Sequence, residues 1–69
     1  MTTRMPLGTI RRGLNLAERQ VTHLTELDLT GRWRLHFESE DLFRGRLETA
    51  RTNMLRWQEL LEDQEREPA

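Results

Sequence analysis

The sequence predicts a small α+β fold, mostly helical, in the order helix, strand, helix. Three patterns predict it. Ile10, Leu14, Ala17, Val21 and Leu24 recur at intervals of four and three, which is one face of a helix. Arg32 to Glu38 alternates strictly, with Arg32, Arg34, His36 and Glu38 on one side and Trp33, Leu35 and Phe37 on the other, the period of a half-buried strand. Phe43, Leu47, Ala50, Met54, Trp57 and Leu61 repeat at four, three, four, three, four, the apolar seam of a second helix.

The first helix has two candidate starts, and in one of them Thr9 caps a long helix. Asn15 followed by Glu18 forms a capping box, and Gly13 just upstream costs about 1 kcal/mol inside a helix. Both place the helix from Leu16 to about Glu26, with Ile10 to Leu14 extended or as a frayed turn. Leu27-Asp28-Leu29 alternates again before Thr30-Gly31, a turn pair. This segment is either the exit of the helix or a short strand from Glu26 to Leu29. In the second case a three-residue loop sets Leu29 opposite Trp33 and Leu27 opposite Leu35, all on one face. The single-strand reading is preferred, because Thr25 to Leu29 carries only two apolar residues.

The second helix has the clearest signals. Ser39 is a good N-cap, and Glu40 and Asp41 follow in the first turn, where the helix dipole favours negative charge. Glu40 and Arg44 stand four apart, the spacing of a helical ion pair. Leu42, Leu55 and Leu60 widen the apolar stripe. The helix is expected to fade near Asp63. The domain organisation is then a flexible arm over residues 1–8, one domain over 9–64 and a disordered tail over 65–69.

A lone strand leaves its ladder groups unpaired. A 69-residue chain also has a small core. An intertwined homodimer answers both, with two strands paired as an antiparallel ribbon and the long helices packed along their seams. The seam and core residues on this reading are Val21, Leu24, Trp33, Leu35, Phe37, Phe43, Leu47, Ala50, Met54, Trp57 and Leu61.

Composition narrows the function. Eleven basic residues, all Arg, face twelve acidic ones, for a net charge of −1. That balance argues against a general nucleic-acid coat. There is no Cys, Lys or Tyr, and Ser39 is the only serine, so nucleophilic catalysis has almost no material. His23 and Glu26 share a helical face, but the second helix offers no His to complete a metal site. The expectation is a non-enzymatic protein with no cofactor and no metal. No apolar run approaches the ~20 residues that span a bilayer. A cytoplasmic location and no membrane partner are expected.

The functional candidates are Arg32, Arg34 and His36, which a paired ribbon would display twice. Such a ribbon is similar to that of ribbon–helix–helix repressors, which also dimerise through one strand per chain and read DNA with it. In that family the strand precedes both helices; here a helix comes first. Glu38, Glu40 and Asp41 beside the basic strand repel phosphate. The preferred expectation is therefore a protein-binding modulator: a small homodimer that inhibits or adapts a larger protein, as anti-activators and phage-encoded inhibitors do. The alternatives are a DNA-binding repressor and a structural subunit of a larger assembly.

Overall fold

Two long helices joined by a short connection make up the computed structural model, which describes residues 5–66. Helix α1 spans Leu7–Thr30 and helix α2 spans Glu40–Arg66, with one 3-10 turn at Arg32–Leu35 between them. The helices run antiparallel as a hairpin, a rod of 47 × 20 × 15 Å. Residues 1–4 of the expected arm and 67–69 of the expected tail lie outside the described residues.

Among the described residues there is no strand, so the helix–strand–helix reading and its ribbon are overturned. The physical reason lies in the pattern itself. An alternating run of seven also contains an i, i+4 pair, and here that pair is Trp33 and Phe37. Both rings close on Phe43: Trp33 stacks at 5.6 Å with 15° between planes, and Phe37 meets it edge-on at 5.3 Å. Leu35, which a strand would bury beside them, is 80% exposed. Trp33 carbonyl accepts the N–H groups of His36 and Phe37 at 3.0 and 2.9 Å, so local turn bonds replace a ladder. The basis for strand-mediated dimerisation goes with the strand.

The possible second strand is also helix. Glu26 to Leu29 continues α1, with Leu27 buried and Leu29 exposed. Thr30-Gly31 does end the element, but as a helix cap. Gly31 sits in the left-handed region (φ 73°, ψ 5°) and its N–H donates to the Asp28 carbonyl. That conformation suits Gly because it has no Cβ to clash.

Helix α1 starts nine residues earlier than the capping box at Asn15 suggests. Pro6 supplies the start: its carbonyl accepts the N–H groups of Thr9 and Ile10 at 3.0 and 3.1 Å, and its ring needs no N–H partner there. Gly13 lies inside the helix because the Trp57 indole packs against it. A Cβ at Gly13 would stand 2.5 Å from Trp57 Cη2. Ile10, which this extension adds to the core, is fully buried.

Helix α2 follows the sequence at its cap and along its seam, and it runs on to Arg66, past the expected fade near Asp63 and into the expected tail at residues 65–66. The Ser39 hydroxyl accepts the Leu42 N–H at 3.2 Å, and Arg44 Nε lies 3.6 Å from Glu40. The seam faces α1 along its whole length. Phe43, Leu47 and Ala50 are buried, and Met54, Trp57 and Leu61 are half-buried. Leu24 and Leu27 complete the main cluster, with Val21, Trp33 and Phe37 packed against it.

Candidate functional site

Two surfaces stand out, one at the tip of the hairpin and one along its side. The tip follows from how the connection folds. Trp33 and Phe37 turn inward onto Phe43, so the residues around them turn outward. Arg32, Arg34, Leu35 and His36 are all exposed. A 3-10 turn has three residues per turn, which puts Arg32 and Leu35 on one side of it. The Arg34 guanidinium lies over the Trp33 ring, 5.5 Å from its centroid. Leu29, at the end of α1, is 82% exposed at the same end of the molecule.

The acidic neighbours of the tip are partly occupied. Arg44 donates from Nη1 and Nη2 to the two Asp28 carboxylate oxygens, both at 3.3 Å, and also pairs with Glu40. Among the described residues neither Arg32 nor Arg34 makes an ion pair. Their charge is therefore available to a partner.

The side surface is an open cleft along α2 that meets α1 at Gln20. In α2, Leu42, Arg46, Thr49, Asn53, Arg56 and Leu60 each stand one residue before a seam position, so they form a row beside the seam. Four of them, Arg46, Thr49, Asn53 and Arg56, line an open cleft of about 560 Å³ with Gln20 of α1. Ala50 forms part of its floor, and Glu48 reaches it from the other side of α2. Leu42 and Leu60 are 58% and 40% exposed at the two ends of the row. Leu16, one turn before Gln20 on α1, is 60% exposed.

The sequence-predicted residues divide accordingly. Arg32, Arg34 and His36 are exposed, as a binding role requires, but on a turn rather than one strand face. Ten of the eleven seam residues are buried or half-buried; Leu35 is the exception. The groove row is not apparent as a unit from the α2 sequence alone. Its signal was present, since it repeats the seam spacing shifted by one residue, and contains no carboxylate. His23 and Glu26 are both exposed, and no group of three or more His, Asp or Glu converges among the described residues. No helix of the described residues is long and apolar enough to cross a membrane.

The chain belongs to the family described as "Conserved hypothetical protein CHP03809", which matches it over residues 8–69. No curated protein and no solved structure gives a significant match.

Proposed function

We propose that the chain is a small protein-binding module, without enzymatic chemistry of its own, that docks its tip onto a larger protein and so inhibits or adapts it. One observation carries this reading. The tip holds Leu29 and Leu35 about four-fifths exposed beside two arginines that make no ion pair among the described residues. Isolated exposed leucines are ordinary. Here, though, the two inward-turned rings hold the intervening residues outward on a fixed turn, so ordering them costs a binding partner little. Arg is also enriched at interfaces, where it recognises carboxylates in a fixed fork geometry. The complementary surface is an apolar pocket rimmed by carboxylates.

A photo-crosslinking residue at position 36 tests this in the cell that makes the protein. It should capture one protein, and Leu35→Asp should abolish the capture without lowering the melting temperature. The same crosslinker at position 22, exposed on α1 away from the tip, should capture nothing. Equal capture from both positions, or none from position 36, overturns the reading.

A further inference from the structure

The two sides of the hairpin are not equally closed, and this difference does not depend on the role of the tip. Where antiparallel helices bring their seams together, residues one step after a seam position on either helix share one side of the hairpin. Residues one step before a seam position share the other. The cleft lies on that second side, since Gln20 and Asn53 each precede a seam residue and line it together. Away from the turn end, Ala17 and Ala50 lean toward the cleft and are buried. Leu14, Val21 and Met54 lean away from it and are only half-buried, as is Leu61. The core of the open half is therefore exposed on the side opposite the cleft.

Four charges frame that opening. Arg11 and Glu18 each follow a seam residue of α1, and Arg51 and Glu62 each follow one of α2. All four are exposed, and none makes an ion pair among the described residues. The contacts of Gly13 with Trp57 and of Asp28 with Arg44 fix how the helices are aligned. Arg11 and Glu62 thus stand toward the open end, with Glu18 and Arg51 nearer the middle. Each charge is opposite in sign to its neighbour along its own helix and to its neighbour across the hairpin.

The frame also has a centre. The midpoint between Arg11 and Glu18 falls at Leu14 and Asn15, and that between Arg51 and Glu62 falls at Arg56 and Trp57. Trp57 packs on Gly13, so the two midpoints are level. One two-fold axis at that level, perpendicular to the rod, sets Arg11 over the second copy's Glu18 and Arg51 over the second copy's Glu62. Each pair forms twice. The same axis sets Met54 over the second copy's Leu61 and brings Leu14 beside its own counterpart.

We infer that this side of the hairpin binds a second copy of the chain, open half against open half, with the two tips pointing apart. The half-buried seam residues supply the burial that so short a chain lacks, and the charged frame sets the alignment. A partner of a single charge sign would meet a like charge at two of the four corners, whereas a second copy meets none. The contact ends at the four charges, so Thr22 and both tips lie outside it.

The test is sedimentation of the full chain, which should be a dimer at micromolar concentration. Glu18→Arg sets two like charges together twice and should weaken the dimer about tenfold or more. Adding Arg11→Glu to it exchanges the two signs and should restore the affinity to within about threefold. Arg46→Glu, on the cleft side, should leave it within about twofold. All three positions are exposed, so circular dichroism should report unchanged helicity. A second measurement needs no charge variant. The chain has no cysteine, so in Asn15→Cys, beside the axis, a short bis-maleimide should link copy to copy, and in Arg46→Cys it should not. That crosslink decides alone if a charge variant loses its helicity. A monomer, a dimer indifferent to Glu18→Arg, a double variant that stays as weak as the single one, or equal crosslinking at both positions overturns the inference.

Discussion

The turn end and the open end of this hairpin are built from the same two helices and are closed to different degrees. At the turn end Leu24, Leu27, Phe43, Leu47 and Ala50 are buried, and Phe43 is fully covered. At the open end Ile10 and Ala17 are buried, while Met54, Trp57 and Leu61 remain half-exposed. Helix length does not explain this, because α1 and α2 are both present at either end. The connection does. Trp33 and Phe37 fold over the turn end as a third wall, and among the described residues the open end has none. Two helices alone bury Ile10 and Ala17; the third element at the turn end extends full burial to the α2 seam residues Phe43 and Leu47. The open end replaces that wall in part by a close approach, with the Trp57 ring set against the bare backbone at Gly13.

Truncation at each end measures the difference. Phe43→Ala should cost about 3–5 kcal/mol, the range for a fully buried aromatic and most of a small domain's stability. Trp57→Ala removes a larger ring from a half-open site and should cost about half as much, since part of that ring already meets water. Urea denaturation followed by circular dichroism gives both values. Equal losses would mean that the open end is as well closed as the turn end.

Glycine substitutions sharpen the same contrast. Gly13→Ala gains about 1 kcal/mol of helix propensity, yet its Cβ would collide with three atoms of the Trp57 ring, the nearest at 2.5 Å. Overpacking of this kind costs about 1–3 kcal/mol, so the net effect should be a loss. Gly45→Ala meets nothing within 4 Å and should stabilise the protein by about 0.5–1 kcal/mol. Paired melting curves check the opposite signs. A stabilising Gly13→Ala would show that the Trp57 ring swings away freely and that the open end holds no fixed packing.

How far the sequence shows these features depends on how many constraints each residue obeys. The α2 seam and the Ser39 cap were legible because spacing, capping and first-turn charge all agree there. The α1 start was not. Its local signals, Gly13 and the Asn15 capping box, oppose a helix that a distant residue, Trp57, makes favourable. The connection is ambiguous in sequence because Trp33 and Phe37 satisfy a period of two and an i, i+4 pairing equally well. Only Phe43, six residues beyond Phe37, decides between them. The exposure of Arg32, Arg34 and His36 survives the change of element, since polar residues between inward-facing rings point outward in either. The groove row needs two helices at once, Gln20 on one and Arg46 to Arg56 on the other, and no local pattern joins them.

The smallest effect concerns charge. At the turn end Arg44 ties α2 to α1 through both Asp28 oxygens, and its guanidinium lies 6.0 Å from the Phe43 ring centroid. At the open end Arg66 pairs with Asp63 within one turn of α2, at 3.8 Å, and among the described residues makes no ion pair across the hairpin. The Arg44 and Asp28 side chains are 52% and 31% exposed, so water screens the pair and its worth is about 0.5 kcal/mol, despite the two-pronged geometry. A double-mutant cycle with Arg44→Met and Asp28→Asn isolates the pair from the packing of the Arg44 stem over Phe43. The coupling should be measurable in low salt and vanish near 1 M salt, where the screening length falls to about 3 Å. The same cycle on Arg66 and Asp63 should give no resolvable coupling, because both side chains are about 70% exposed and unrestrained by a second helix. Equal couplings in the two cycles would show that the aromatic lid at the turn end does nothing to fix Arg44. A salt-insensitive coupling at Asp28 would instead mean that the turn end excludes water more fully than its exposed tip suggests.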